Sequence, residues 1–277
     1  MEIIMKIGII IKSVGPEIER KIEEAAALGF KVCQINGFDS SLFTDEMADR
    51  IVAALNKHGM ELSAFWCGWR GPQEWNFYGG YKTLGLVPPE YRADRVADLL
   101  LGSDFAYKLG AKNMVTHVGF IPENPNDPEF DAVVDAVRDV AQRCKDNGQR
   151  FLFETGQETP VTLLRTFEAV GLDNLGVNLD PANLILYGKA NPVDALDTIG
   201  KYVYDVHAKD GLYPTDGKSL GKETRIGEGK VDFPRFIARL RELGYDGPLT
   251  IEREISGDQQ IKDIIAAKKY LEELIAK

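Results

Sequence analysis

Cysteine, histidine and positive charge are all scarce in this 277-residue chain, and each shortage excludes a class of protein. The three cysteines, Cys33, Cys67 and Cys144, are widely spaced and never form a C-x-x-C pattern, so neither a disulfide framework nor a thiolate zinc site is expected. They read as reduced thiols of a cytoplasmic protein. Against 43 aspartates and glutamates stand 33 lysines and arginines, a formal charge of −10 that would repel a phosphodiester backbone. No local basic patch offsets it, so nucleic acid is not an expected partner. No run reaches the roughly 18 to 20 apolar residues of a membrane span. The N-terminal MEIIMKIGIIIK, led by Glu2 and interrupted by Lys6, lacks a signal-peptide pattern, so a membrane is not expected either. What is left is an ordinary globular composition, 44% hydrophobic and 27% charged, in a chain long enough for one large α/β domain or two small ones.

The chain alternates short β-branched runs with longer amphipathic segments. Strands are predicted over 6–12, 31–36, 61–66, 112–117, 150–154, 175–180, 202–207 and 248–252. Helices are predicted over 17–28, 44–58, 90–109, 129–147, 160–170, 192–200, 233–243 and 258–276. Gly29, Gly59, Gly110 and Gly148 close four of the helices, while Pro16, Pro160 and Pro192 sit near helix starts. Eight βα units without a linker describe one (β/α)8 TIM barrel over 1–277 better than a doubly wound sheet, which would show fewer strands and a Gly-rich first turn. The two long connections, 67–89 and 208–232, follow strands and therefore belong to the catalytic face.

Polar residues at the C-terminal ends of barrel strands converge on that face. Strands five to eight end in Glu154, Asp180, His207 and Glu252. One such residue would be a solvated loop anchor, but four on consecutive strands about 5 Å apart can point at a single ion. Three carboxylates and an imidazole make a mostly hard donor set, suited first to Mn²⁺, then Mg²⁺ or Co²⁺, and open to Zn²⁺ or Fe²⁺. With a divalent cation the set keeps about one negative charge, which favours a neutral polyol or keto-sugar as ligand. Asn178, Asp205 and Thr250 precede three of these residues by two positions and are expected to face the same interior, beneath the ligands.

The strings FLFETG, GVNLDPANL, YVYDVHAKDG, RIGEGKVDF and PLTIERE, in that order, resemble the xylose isomerase-like barrel superfamily of sugar phosphate isomerases and epimerases. That superfamily includes ketose 3-epimerases, hydroxypyruvate isomerases and inosose dehydratases. The resemblance implies that Glu154, Asp180, His207 and Glu252 bind the metal. It also marks departures: Asn183 stands where ketose 3-epimerases place a substrate-holding histidine, Tyr213 near where they place an arginine, and Gln34 where many relatives carry a glutamate. Amides still hydrogen-bond sugar hydroxyls, so Asn183 and Gln34 are retained as expected substrate contacts.

The expected chemistry is proton removal next to a metal-chelated carbonyl, giving an enediolate, with Glu154 and Glu252 as the acid/base pair. Return of the proton to the opposite face gives an epimer, transfer to the neighbouring carbon an isomer, and loss of an adjacent oxygen makes the protein a lyase or dehydratase of a keto-polyol or keto-glycoside. His117, in VTHVG, is expected at the substrate or as a packed rim residue. Lys209 is expected at a substrate oxygen or in a surface salt bridge, and Arg225, in the Gly-rich KETRIGEGK, over the substrate or in solvent. His58, before Gly59, fits a helix C-terminus. Trp66 is assigned to the pocket. Trp69, Trp75, Phe77, Tyr78 and Tyr81 serve either the pocket or a subunit interface, so a homo-oligomer stays open. A non-catalytic sugar-binding barrel is the alternative outside enzymes. An endonuclease IV-like nuclease is disfavoured by three histidines and the acid excess, and a nicotinamide-dependent reductase by the lack of its Asp-Tyr-Lys-His set.

Overall fold

The computed structural model describes residues 5–276; residues 1–4, which begin the N-terminal apolar run, and residue 277 lie outside the described residues. Eight parallel strands close a barrel: β1 (Lys6–Ile11), β2 (Val32–Gly37), β3 (Glu61–Cys67), β4 (Asn113–Thr116), β5 (Arg150–Glu154), β6 (Leu175–Leu179), β7 (Val203–Ala208) and β10 (Pro248–Ile251). They neighbour one another in chain order, and β1 pairs with β10 to complete the circle. The segments α1 (Ile18–Ala27), α2 (Asp45–His58), α4 (Pro89–Lys108), α5 (Pro128–Asp146), α6 (Pro160–Val170), α8 (Pro192–Ile199), α9 (Phe233–Glu242) and α10 (Asp258–Ile275) are the eight expected helices.

Strand alternation sorts side chains into two environments. Ile9, Ile11, Phe151, Phe153, Val177, Leu179, Val206 and Ile251 join one apolar layer between sheet and helices. A smaller cluster includes Ala64, Trp66, Val115 and Leu152, and these share strand parity with Gln34, Glu154, Asn178, Asp205, His207 and Thr250, all buried polar residues. The period-two rule thus places the polar residues in the interior and spends the aliphatic ones on the helix contact.

Helix ends follow local chemistry. Thr44, Asp127, Thr159, Asn191 and Asp232 accept hydrogen bonds from the first turns of α2, α5, α6, α8 and α9, and proline opens α4, α5, α6 and α8. At the end of α2, Gly59 takes φ +60, a left-handed cap that a Cβ would disfavour.

The two long connections contain short elements that the sequence rhythm does not show. The first carries α3 (Gly80–Thr83), and α7 (Pro181–Leu186) follows β6 directly. The second contains an antiparallel hairpin of β8 (Asp210–Leu212) and β9 (Lys222–Thr224). Asp210 pins this region with one carboxylate. Its Oδ2 accepts from Gly227 and Gly229 N–H at 2.9 and 3.0 Å, and its Oδ1 from Gly211 and Val231 N–H at 2.8 and 3.0 Å. A Cβ on Gly229 would stand 2.0 Å from Asp210 Oδ1, so the close approach requires glycine. No helix among the described residues is long and apolar enough to cross a membrane.

Candidate metal centre

Glu154 ends β5, Asp180 and Glu252 stand one residue beyond β6 and β10, and His207 lies near the end of β7. Each offers a donor atom, and the four atoms lie within 4.8 Å of one another; among the described residues this is the one group of histidine, cysteine, aspartate and glutamate side chains so arranged. All four are buried. Local structure fixes each of them. Asp180 is the N-cap of α7: its Oδ1 accepts the Asn183 N–H at 2.8 Å, with Pro181 opening the helix, while Oδ2 faces the Lys209 ammonium at 3.1 Å and His207 Nδ1 at 3.9 Å. A buried carboxylate oxygen turned toward cationic neighbours and away from backbone donors fits a cation ligand.

His207 presents Nδ1 to the acidic side chains, 3.1 Å from Glu154 Oε1, 3.5 Å from Glu252 Oε2 and 3.9 Å from Asp180 Oδ2. Its Nε2 lies 2.9 Å from Gln34 Oε1, and Gln34 Nε2 donates to Asn178 Oδ1 at 3.0 Å. Because Gln34 turns its carbonyl oxygen to the ring, Nε2 carries the hydrogen and Nδ1 keeps its lone pair for the centre. Gln34 therefore sits behind the histidine and does not line the cavity, which corrects its expected role as a substrate contact. Asn178, Asp205 and Thr250 are fully buried below, where Thr250 Oγ1 donates to Asp205 Oδ1 at 3.1 Å.

The charges are strongly coupled. Burial pushes the Glu154 carboxyl up, but the facing imidazoles of His117 and His207 outweigh it and hold the group well below the usual carboxylate range. Burial alone would lower His207, whereas Glu154 and Glu252 raise it well above an ordinary imidazole. Carboxylates that favour a proton on Nδ1 equally favour a divalent cation in its place. Burial, opposed by Lys209 and reinforced by Glu154 and Glu252, pushes the Asp180 carboxyl up to about 6.

Lys209 is neither at the surface nor on the cavity lining. It is 2% exposed, with Nζ 3.0 Å from Glu252 Oε2, 3.1 Å from Asp180 Oδ2 and 3.5 Å from Glu254 Oε2. Burial disfavours its charge, yet Asp180 and Glu252 keep the ammonium protonated far above neutrality. This corrects the charge count made from sequence: three ligand carboxylates, one ammonium and a divalent cation sum to zero.

Above the centre opens a cavity of about 390 Å³, lined by Lys12, Asn36, Phe38, Trp66, Trp75, His117, Glu154, Asn183, Tyr187, Glu252 and Glu254 among others. Trp66 Nε1 donates to Glu154 Oε2, Asn183 Nδ2 donates to Glu154 Oε1 at 3.2 Å, and His117 Nε2 stands 3.4 Å from that oxygen. The expected Trp66, His117 and Asn183 thus meet at one carboxylate. Trp69 is buried in the apolar cluster, while Tyr78 and Tyr81 are exposed outside the cavity. Arg225 is elsewhere: its Nε pairs with Asp263 of α10 at 3.0 Å and its Nη1 lies 3.6 Å from Glu228, so it does not close over the cavity. Sequence reasoning missed Lys12 and Asn36 on the lining, although their parity with Ile10 and Gln34 could have found them. It also missed Glu158, fully buried with both oxygens unpartnered, whose carboxyl burial pushes up to about 7.

Residues 22–274 match the profile of a family described as xylose isomerase-like TIM barrel. A crystal structure of a xylose isomerase domain protein from Planctomyces limnophilus is 36% identical, with a TM-score of 0.92 over 98% of this chain and 97% of that one. An uncharacterized protein of Methanocaldococcus jannaschii is 28% identical over 181 residues, 61% of this chain and 58% of that protein, so this chain's match spans little more than half of that curated relative's length. D-psicose 3-epimerase from Clostridium cellulolyticum H10, solved with D-tagatose, shares the fold at 18% identity, a TM-score of 0.72, and 98% and 99% coverage.

Proposed function

The chain belongs to the xylose isomerase-like TIM barrel family, and from that premise we propose that it is a divalent-metal-dependent sugar isomerase or epimerase acting on a keto-sugar. The observation that carries this reading is the convergence of Glu154, Asp180, His207 and Glu252 on one point, with Glu154 and Glu252 also lining a cavity walled by aromatic and amide side chains. The donor set fits a hard divalent cation, Mn²⁺ first, with Asp180 Oδ2 and His207 Nδ1 turned toward the same point as the two glutamates. Such a cation, when bound, supplies a Lewis acid that polarises a sugar carbonyl and acidifies the neighbouring C–H.

The two glutamates differ in how tightly they are held. Glu154 is boxed in by Trp66, Asn183 and the two imidazoles, whereas Glu252 engages Lys209 and His207 through Oε2. Glu252 Oε1 lies 4.0 Å from Lys12 Nζ and is the oxygen left to move a substrate proton. Glu154 serves as the second proton-handling group from its own side of the substrate. Trp66 and Trp75 exclude water from the carbanion, and Asn183 holds both the Glu154 carboxylate and a sugar hydroxyl.

Deuterium wash-in tests the assignment. With Mn²⁺ and a ketose panel in D₂O, the protein should incorporate solvent deuterium next to the carbonyl, and Glu154→Gln and Glu252→Gln should each cut exchange by about a hundredfold or more. Undiminished exchange in either variant removes that residue from the acid/base pair.

A further inference from the structure

Two lysines face Glu252, and they are held in opposite ways. Lys209 is buried against Oε2 at 3.0 Å and shared with Asp180. Lys12 approaches Oε1 from the cavity at 4.0 Å, with 42% of its side chain exposed. The first contact is a closed ion pair, whereas the second exceeds hydrogen-bond length. An oxygen about 2.9 Å from both Lys12 Nζ and Glu252 Oε1 fits between them, so one ligand hydroxyl can touch the ammonium and the carboxylate together.

The chain spends backbone strain to put Lys12 there. Lys12 follows β1, in which Ile9 pairs with Ile251 and Ile11 with Ile35, so it rises between Glu252 after β10 and Asn36 in β2. It shares strand parity with Ile10 and, like Ile10, lines the cavity. The next residue, Ser13, takes φ 68, and among the described residues no other non-glycine residue is left-handed. Such a conformation persists where surrounding contacts over-determine it, and it clusters at functional sites. Asn36 and Lys21 supply those contacts. Ser13 N–H donates to Asn36 Oδ1 at 2.5 Å and Val14 N–H to the Asn36 carbonyl at 2.8 Å. Lys21 of α1 donates from Nζ to the carbonyls of Lys12 and Ser13 at 2.8 and 3.4 Å. A lysine that served only as solvated surface would need no such turn beneath it.

We propose that Lys12 is a catalytic residue, its ammonium donating a hydrogen bond to a substrate oxygen beside the C–H that Glu252 Oε1 deprotonates, and that Lys21 is the positioning residue that holds it through the Ser13 turn. As the proton passes to Oε1, the C–H electron pair moves into the neighbouring carbon–carbon bond and negative charge builds on the substrate oxygens. Glu252 becomes neutral and Lys12 keeps its proton. The ammonium thus faces a carboxylate 4.0 Å away before the step and an anionic oxygen at hydrogen-bond distance during it, so it favours the transition state over the ground state. The proposal rests on the sugar reading above and deepens it by adding a residue to the same site.

Solvent exchange with D-fructose, D-tagatose and D-psicose, followed on the Mn²⁺-loaded protein in D₂O over a range of sugar concentrations, separates kcat from KM. Lys12→Met should lower kcat about a hundredfold, the scale of one lost transition-state donor, with KM and the calorimetric Mn²⁺ affinity within about threefold of the unaltered protein. The three cysteines of the chain are buried, so alkylating the Lys12→Cys variant with bromoethylamine confines modification to the introduced thiol and rebuilds an ammonium there. That treatment should recover most of the lost rate. Lys21→Met should lower kcat about tenfold, and the double variant should be no slower than Lys12→Met alone, because Lys21 acts through Lys12. A kcat within about threefold in Lys12→Met, a loss that falls on KM or on Mn²⁺ affinity, alkylation without recovery, or additive losses in the double variant overturns the proposal and leaves the sugar reading standing. If Mn²⁺ binds but none of the three ketoses exchanges, the sugar reading itself fails and the proposal falls with it.

Discussion

The two halves of the barrel rim do different work. The strands β5, β6, β7 and β10 end in Glu154, Asp180, His207 and Glu252, with Lys209 packed among them. The strands β1 to β4 bring Lys12, Asn36, Phe38, Trp66 and His117, mostly amide and aromatic groups, to the same cavity. One half concentrates charge that only a cation can balance, and the other builds a wall. The lesson is that the charged cluster and the cavity wall are separable here, because the strands that carry them share a cavity but few side-chain hydrogen bonds. The side-chain bridges include Trp66 to Glu154, His117 to Glu154, and Gln34 to both His207 and Asn178.

The sharpest way to break this division is to damage the charged half. Asp180→Asn should lower Mn²⁺ affinity by about a thousandfold, since it removes the charge of a buried ligand while keeping the N-cap; calorimetric metal titration reads it. If Trp75→Ala cost as much metal affinity as Asp180→Asn, the two halves would not be separable. Lys209→Met should act in the opposite direction. Without the ammonium the three ligand carboxylates repel one another, so Mn²⁺ affinity should rise by about tenfold while the metal-free melting temperature falls by several degrees. A fall in metal affinity would show that Lys209 organises the ligands instead of competing for them.

A test that leaves the metal centre untouched belongs to Glu158, a buried carboxylate of the charged half outside the cluster. Burial raises it from the ordinary value of 4.5 to about 7, against the opposing pull of His117 and Lys189. Between those values the folded chain binds the proton that the unfolded chain releases, so this group supports stability fully below about pH 4.5 and loses that support as pH rises through 7. Glu158→Gln cannot ionise. The melting-temperature advantage of the variant should therefore widen from pH 5 to pH 8, approaching roughly 3 kcal/mol of relative stability at most. A gap that is constant with pH would show that the carboxyl is ionised throughout.

Much of this was legible in the sequence because barrel strands obey a short-range rule. Alternation alone puts Glu154, Asn178, Asp205, His207 and Thr250 inside, and chain order around the barrel makes the four strand ends neighbours. What escaped depends on contacts between elements. Parity placed Lys209 with His207, but only the packed barrel shows that Asp180 and Glu252 enclose it. Gln34 faces the interior as expected, yet its partner is the histidine from across the barrel. Arg225 lies in a segment with no alternation to orient it, and the Asp263 carboxylate of α10 claims it. Elements as short as α3, α7, β8 and β9 carry too few residues to show a period.

The carboxylate of Asp210 has a kinetic meaning. Four backbone amides spent on one side chain leave the stretch from Gly227 to Val231 little freedom to swing, despite its glycines. That stretch is a fixed pier held by Asp210, the residue that follows Lys209. Under the proposed reaction, entry and exit of the sugar would then fall to the exposed rings of Phe38 and Trp75 and not to this glycine-rich stretch.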